Sequence, residues 1–287
     1  MKIALSGGTG FLGQQLNEYL LQYGYEIILL SRNDFMASDD QLAKIINSVD
    51  VIINLAGSSV LCRWNQRNRE NIFSSRIITT RKLVAAAGKG GPKLFINSSA
   101  IGIYDETKTH DESSLAFNTD FLASVCQAWE NETQPLEFLN IRKCIIRTGI
   151  VLGTSGGSMN KILPVFKAGL GGRIGSGKQP FSFIHIRDFC RAVHHLIENE
   201  QSSGIYNFVS PEPTNNLKFT QVLAKRLCRP AIFTVPELAL KMIYGEAAGL
   251  LIKGVTVVPA RLINEGFEFD FPDISSAISG LVSGRSK

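Results

Sequence analysis

The chain has 287 residues, of which 44% are hydrophobic and 19% are charged. This length fits one large α/β unit, or a large unit with a small lobe, and the composition excludes a disordered chain. The formal net charge of +5 is spread along the sequence, which argues against nucleic-acid binding, where a clustered basic stripe is typical.

Targeting, membrane and metal signals are also missing from the sequence. The apolar run at residues 2–6 is too short for a signal peptide, and no stretch reaches the roughly 18 uninterrupted apolar residues of a membrane helix. The five cysteines are widely spaced without a C-x-x-C pair, and the four histidines lack metal-ligand spacing. We therefore expect a cytoplasmic protein with reduced cysteines, no metal site, and no membrane or nucleic-acid partner.

Apolar runs alternate with helical patterns through the first half of the chain. Strands are predicted at 2–6, 25–30, 49–57, 93–99 and 141–153, and helices at 11–23, 39–48, 65–88 and 119–133. Near-continuous apolar strands separated by helices are typical of a parallel sheet covered on both faces. The sequence therefore predicts an α/β fold with a Rossmann-type, doubly wound parallel sheet.

The pattern changes after residue 154, where glycines and then prolines become frequent. We predict a Rossmann domain at 1–154, with returns to its sheet near 181–209, and a small, mostly helical lobe at 155–287. A helix is expected at 158–168 and another at 187–199, the second capped by Asp188, with His185 as a structural histidine rather than a base. Residues 235–282 provide either lobe core or the surface of a possible homodimer.

The strongest motif is the glycine fingerprint that follows the first strand. It comprises Gly7, Gly8, Thr9, Gly10, Phe11, Leu12 and Gly13. A strand that turns sharply into a helix against a pyrophosphate requires the absence of a Cβ at several of these positions. The helix N-terminus then offers free N–H groups and a positive dipole end to the phosphates. These seven residues therefore predict a dinucleotide site.

The end of the second strand bears on the choice between NADP(H) and NAD(H). Ser31 and Arg32 occupy the place where an NAD site usually has an acid for the ribose hydroxyl. A guanidinium can pair with a 2′-phosphate, so NADP(H) is preferred over NAD(H). Asp34 leaves the alternative open, because it could serve as that acid while Arg32 is only an exposed loop residue.

Taken together, these segments resemble an atypical short-chain dehydrogenase/reductase of the nucleoside-diphosphate-sugar epimerase-like family, over essentially the whole chain. The resemblance rests on SGGTGFLG (6–13), LSRN (30–33), NLAG (54–57), SSAIGIY (98–104), RTGIVLG (147–153), GLGGRIGSGKQ (169–179), FIHIRD (183–188) and a C-terminal module of the DUF1731 type. It implies a strand order of 3-2-1-4-5-6-7 and a substrate lobe at the C-terminus.

The resemblance also implies further cofactor-binding positions. Leu55, Ala56 and Gly57 are expected to line the cofactor, together with Ser98 at the end of the fourth strand. Val151 is expected beside the nicotinamide. Arg76 is expected to reach the cofactor from the long helix, although a surface arginine is an equal alternative.

The usual catalytic dyad of this superfamily is absent. Its Tyr-x-x-x-Lys motif would fall on the helix FLASVCQAWE (121–130), which contains neither residue. A lysine near the tyrosine normally lowers the phenol pKa for proton transfer. Ser99 and Tyr104 are the substitute catalytic candidates, with the alternative that the serines at this strand end only form a turn.

Three hypotheses follow for the function. The first is an NADP-dependent oxidoreductase or epimerase-like enzyme acting on a small substrate, nucleotide-linked or not, with Arg173, Lys178 and Gln179 as candidate substrate contacts. The second is a non-catalytic NADPH-binding regulator or redox sensor that works through a partner. The third is a structural protein whose fold no longer binds cofactor.

Overall fold

The computed structural model describes residues 1–88 and 91–283. The helices are α1 (Phe11–Gln22), α2 (Arg32–Met36), α3 (Asp39–Ile46), α4 (Gln66–Ala86), α5 (Phe121–Asn131), α6 (Met159–Lys167), α7 (Ile186–Glu198), α8 (Asn216–Leu227), α9 (Glu237–Tyr244), α10 (Gly249–Ile252), α11 (Ala260–Asn264) and α12 (Ile274–Ser283). The strands are β1 (Lys2–Ser6), β2 (Glu26–Leu30), β3 (Val51–Asn54), β4 (Leu94–Ala100), β5 (Thr109–His110), β6 (Arg142–Thr148), β7 (Ile150–Leu152), β8 (Gly172–Ile174), β9 (Phe183–His185), β10 (Gly204–Phe208), β11 (Phe233–Val235) and β12 (Thr256–Val257).

Six of these strands form the central sheet, and all of its pairings are parallel. The order across the sheet is β2-β1-β3-β4-β6-β10. The prediction of a Rossmann-type α/β fold is therefore confirmed. Chain order reverses between β1 and β3, and ligands of open α/β sheets bind at such a switch point, outside the carboxyl ends of the strands.

The seven-strand order 3-2-1-4-5-6-7 was wrong by one strand. The extra strand would lie beyond β2, but the chain between β2 and β3 forms α2 and α3. Both helices begin at a serine cap. Ser31 forms a capping box with Asp34, and Ser38 accepts a hydrogen bond from the backbone N–H of Gln41.

Alternate side chains of the strands pack on opposite faces of the sheet. Ile3 and Leu5 belong to the core under α1 and α7, whereas Ala4 lies in the core under α3 and α4. All three side chains are fully buried. Burial on both faces explains why the strands read as unbroken apolar runs rather than as alternating ones.

A third core lies in the second half of the chain, between α6, α8 and α12. The short pairs β7–β9 and β8–β11 lie beside it. Of the two predicted returns to the sheet, β10 joins the central sheet beside β6, while β9 pairs with β7 instead.

The start of α7 differs from the prediction. His185 is the N-cap, and its Nδ1 accepts a hydrogen bond from the backbone N–H of Arg187 at 3.1 Å. Asp188 lies inside the helix and is fully buried. Its carboxylate accepts hydrogen bonds from the backbone N–H groups of Asp270 and Phe271. Asp188 is therefore an anchor for the C-terminal segment, and the prediction that it caps the helix was wrong.

Candidate cofactor and substrate site

The glycine fingerprint forms a loop that leaves no room for side chains. A Cβ on Gly13 would lie 2.3 Å from the carbonyl oxygen of Gly7 and 2.6 Å from Cα of Gly8. Gly7 has a φ of +79°, and its Cβ would lie 2.7 Å from the backbone of Leu55. The loop thus packs against α1 on one side and against the end of β3 on the other. It leaves the cradle that a pyrophosphate requires.

The N-terminus of α1 points into this cradle. Gly10 is its N-cap and supplies no side chain to hydrogen-bond the first N–H groups of the helix. Those groups and the positive end of the helix dipole are suited to an anion. The ring of Phe11 is covered by a second glycine loop, because a Cβ on Gly153 or Gly156 would lie within 2.9 Å of that ring.

Ser31 and Arg32 follow the end of β2, where Leu30 pairs with Ser6 just before the fingerprint. Both are exposed. The carboxylate of Asp34 accepts hydrogen bonds from the Ser31 N–H and hydroxyl, each at 2.7 Å. The Ser31 hydroxyl and then its N–H lower the pKa of Asp34. Asp34 is therefore committed to the helix cap, which weakens the alternative that it holds a ribose.

Arg76 extends from α4 toward the end of β3. Its guanidinium donates hydrogen bonds to the carbonyl oxygens of Ile72 and Ser58, both at 3.1 Å, and lies over the ring of Trp129. A Cβ on Gly57 would lie 2.9 Å from this guanidinium. Burial lowers the pKa of Arg76. A half-buried cation beside Gly57 is suited to a cofactor phosphate or ribose, which favours the cofactor role over that of a surface arginine.

The two catalytic candidates belong to one buried chain of hydrogen bonds. The Ser99 hydroxyl donates to Glu130 at 2.6 Å, and Arg147 forms a bidentate pair with the same carboxylate at 2.9 and 2.8 Å. Arg147 also donates to the Tyr104 hydroxyl at 2.8 Å, which in turn donates to Asn207 at 3.0 Å. The chain crosses the carboxyl ends of β4, β6 and β10.

Tyr104 is fully buried within this chain of contacts. Its ring stacks on His110, and its hydroxyl has protein partners for both accepting and donating. Burial raises the pKa of the phenol, although the charge and hydrogen bond of Arg147 oppose the shift. A catalytic role for Tyr104 remains a prediction, and this geometry favours a positioning role.

Glu130 and Arg147 were not singled out from the sequence. Burial alone would lower the pKa of Arg147, but the hydrogen bonds and charge of Glu130 outweigh it and raise that pKa. The two side chains come from α5 and β6, and no local pattern marks them as partners. The only signal was at Arg147, a charged residue within an apolar strand.

Helix α5 has an apolar face where the superfamily normally has its Tyr and Lys. Phe121, Leu122, Val125, Cys126 and Trp129 all line the central cavity from this helix. Burial raises the pKa of the Cys126 thiol to about 11, so it is not a nucleophile near neutral pH. Within the described residues, α5 therefore contributes no proton-transfer group to the cavity.

A cavity of about 1180 Å³ extends from the fingerprint to the C-terminal elements. The predicted residues that line it are Gly7, Gly10, Phe11, Leu12, Gly13, Leu55, Ala56, Gly57, Arg76, Ser98, Ser99, Tyr104 and Gln179. Those outside its lining are Gly8, Thr9, Ser31, Arg32, Val151, Arg173 and Lys178. Val151 packs in the core beside β9, and Thr148, Gly149 and Ile150 line the cavity there instead.

The loop predicted to meet the substrate brings only one of its three candidates to the cavity. Gln179 donates hydrogen bonds to the carbonyl oxygens of Ile174 and Leu251, which connect the loop to α10. Arg173 is exposed and donates to Thr234 and to the carbonyl oxygen of Ser176. Lys178 is also exposed.

Residues 1–88 and 91–283 contain neither a candidate membrane span nor a candidate metal cluster. No helix in that part of the chain is long and apolar enough to cross a membrane. Among the same residues, no cluster of three or more His, Cys, Asp or Glu side chains could hold a metal ion.

A family model described as the NAD dependent epimerase/dehydratase family matches residues 3–208 of this chain. The chain belongs to this family. A second model, described as a domain of unknown function (DUF1731), matches residues 235–281. The resemblance inferred from the motifs is therefore confirmed, including its C-terminal module.

Relatives with more than 30% identity match nearly the whole chain, and two of them are a bacterial and a human protein. The epimerase family protein YfhF of Bacillus subtilis (strain 168) is 36% identical over 99% of both chains. The crystal structure of human epimerase family protein SDR39U1 (isoform 2) with NADPH is 31% identical, with a TM-score of 0.92 over 99% of both chains. UDP-glucuronic acid 4-epimerase of Bacillus cereus is only 17% identical, with a TM-score of 0.80 over 99% of this chain and 98% of that one, and shows the fold alone.

Proposed function

We propose that this protein binds NADPH and reduces a carbonyl group of a small substrate. The observation that carries the proposal is a single cavity with two different ends. At one end are the fingerprint loop, the N-terminus of α1 and Arg76, and at the other are apolar side chains of the C-terminal elements. A large apolar cavity that continues beyond a cofactor cradle is expected of an enzyme, whereas a redox sensor does not require one.

The choice of NADPH rests on the residues after β2. Arg32 is exposed and therefore available to a 2′-phosphate, while Asp34 is held by Ser31 rather than free for a ribose hydroxyl. The human relative with NADPH in its crystal structure supports the same choice. When bound, NADPH supplies a hydride that converts the carbonyl to an alcohol, leaving NADP⁺, and the reaction takes one proton from water.

Ser99 is the group we assign to the substrate oxygen. Ser99 lines the cavity, and its hydroxyl donates to Glu130, whose carboxylate is fixed by Arg147. Rotation of the hydroxyl allows it to donate to a substrate carbonyl instead, which polarises the C=O bond. Arg147 in turn is held by Tyr104, so the phenol positions the Ser99–Glu130 pair without meeting the substrate.

The experiment that tests this proposal is NADPH oxidation against a panel of aldehydes and ketones. Ser99→Ala is expected to lower the rate of NADPH oxidation by about 10- to 100-fold. This loss is equal to or smaller than the loss typical of removing one hydrogen-bond donor that polarises a carbonyl. Ser124→Ala is the matched control, because Ser124 is exposed on α5 and donates only to its own helix. Equal rates for both variants would show that the Ser99 assignment is wrong.

A non-catalytic NADPH-binding regulator is the second candidate. The missing Tyr-x-x-x-Lys motif and the apolar face of α5 favour it, because they leave the cavity without the usual proton donor. This candidate predicts NADPH binding with no turnover on any carbonyl compound, and a partner protein whose affinity changes with NADPH. Turnover that Ser99→Ala abolishes would exclude it.

A further inference from the structure

The end of the cavity away from the fingerprint is walled by apolar side chains. Ile162 and Phe166 contribute from α6, Leu240 from α9, and Leu250 and Leu251 from α10. We call this end the distal chamber. Both tryptophans of the chain, Trp64 and Trp129, also line the cavity.

Two ion pairs account for most of the charged groups around the distal chamber. Lys253 forms an ion pair with Glu106 at 2.9 Å, and Glu246 forms one with Arg69 at 2.6 Å. The exposed Lys161 is the remaining basic residue of the C-terminal elements that lines the cavity in the described chain. A diphosphate carries at least two negative charges, and burying them without paired cations is strongly unfavourable.

The two basic residues that the sequence analysis proposed as substrate contacts lie outside the cavity. Arg173 and Lys178 are exposed and do not line the cavity, and Arg173 is engaged by Thr234 and by the carbonyl of Ser176. The loop that carries them contributes Gln179, a neutral side chain, to the cavity. Among the described residues of the C-terminal elements, Lys161 is therefore the one cation of the chamber lining that has no ion-pair partner, which is fewer than a diphosphate requires.

Two residues of the cavity lining have a hydroxyl group that is buried without a hydrogen-bond partner in the described structure. One is Thr220 on α8, which is only 2% exposed, and the other is Ser158 before α6. Both residues line the cavity. A buried hydroxyl without a partner costs free energy, and a ligand that supplies the partner recovers it.

Building on the proposed reduction of a carbonyl by NADPH, we propose that the distal chamber binds an uncharged, largely apolar carbonyl compound, rather than a nucleotide sugar. The hydrocarbon body of this compound packs against the walls from α6, α9 and α10. A second oxygen on the compound, separate from the carbonyl oxygen that Ser99 polarises, accepts a hydrogen bond from Thr220.

The test uses the fluorescence of the two tryptophans as the readout. Decan-2-one and UDP-glucose are titrated separately into the protein, with and without NADPH. We expect decan-2-one to change the emission saturably and UDP-glucose to leave it unchanged. Decane-2,9-dione supplies the second oxygen, and Thr220→Val is expected to weaken its binding about 3- to 10-fold, the value of one neutral hydrogen bond, without changing NADPH binding.

Thr79→Val is the matched control, because Thr79 is on α4 and does not line the cavity. It is expected to bind decane-2,9-dione as the wild type does. Saturable binding of UDP-glucose, or no response to decan-2-one, would overturn the chamber proposal even if NADPH binds. Binding of decan-2-one without any NADPH binding would instead leave the chamber proposal standing and overturn the proposed function.

Discussion

The prediction that follows most directly from local geometry concerns His185, whose protonation is expected to make the free energy of unfolding depend on pH. Nδ1 of His185 accepts the Arg187 N–H, so the proton of the neutral ring lies on Nε2, which is buried without a partner in the described structure. The ring lies 3.8 Å from the ring of Phe271. Burial, and then the charge of Arg187, lower the pKa of His185 to about 4.

The sign follows from the difference between the folded and unfolded pKa values. The unfolded chain takes up the proton near its ordinary pKa of about 6.5, whereas the folded chain does so only near 4. The contribution of His185 to stability is therefore complete above about pH 6.5 and is lost as the pH falls toward 4. Between about pH 7.5 and about pH 5, the loss is about 2 kcal/mol of unfolding free energy.

Urea unfolding at these two pH values measures the loss, with tryptophan emission as the probe. His185→Asn is the comparison variant, because an asparagine oxygen still accepts the Arg187 N–H but does not titrate. The wild type is expected to lose about 2 kcal/mol more than the variant between about pH 7.5 and about pH 5. Equal losses would refute a neutral, buried His185.

Three further substitutions test the loop and the buried charges. Gly13→Ala places a Cβ 2.3 Å from a backbone oxygen of the loop. It is expected to lower the affinity for NADPH at least about 10-fold, which is about 1.4 kcal/mol or more of binding free energy. Gly24→Ala, whose Cβ would meet nothing within 4 Å, is expected to cost only about 1–2 kcal/mol of stability for its φ of +80°, with NADPH affinity unchanged. Glu130→Gln leaves Arg147 without its charged partner and is expected to cost about 3–5 kcal/mol in urea unfolding, whereas a loss below about 1 kcal/mol would contradict a buried pair.

The features that sequence analysis predicted correctly are those with local causes. Each strand of the central sheet follows from a short apolar run, and the fingerprint turn follows from glycines within seven consecutive residues. The serine caps of α2 and α3 are equally local but were not predicted, and both helices contradict the seven-strand order that came from the family resemblance. The residues themselves had indicated a helix at 39–48.

The features that sequence analysis missed depend on contacts between distant segments. Glu130 and Arg147 are on different elements, and Tyr104 reaches them from a loop after β4. Asp188 lies three residues after the observed cap, and its role depends on backbone groups more than 80 residues away. Spacing rules of helices and strands contain no information on such pairs, which only the folded chain brings together.

The central claim is an NADPH site built on the fingerprint loop and Arg32. Direct binding of NADPH and NADH tests it, with energy transfer from the cavity tryptophans to the reduced nicotinamide as the signal. We expect NADPH to bind at least about 10-fold more tightly than NADH in the wild type and in Arg67→Ala, an exposed control on α4. This preference is expected to disappear in Arg32→Ala. Equal affinities for the two cofactors in the wild type, or no binding of either, would contradict the account.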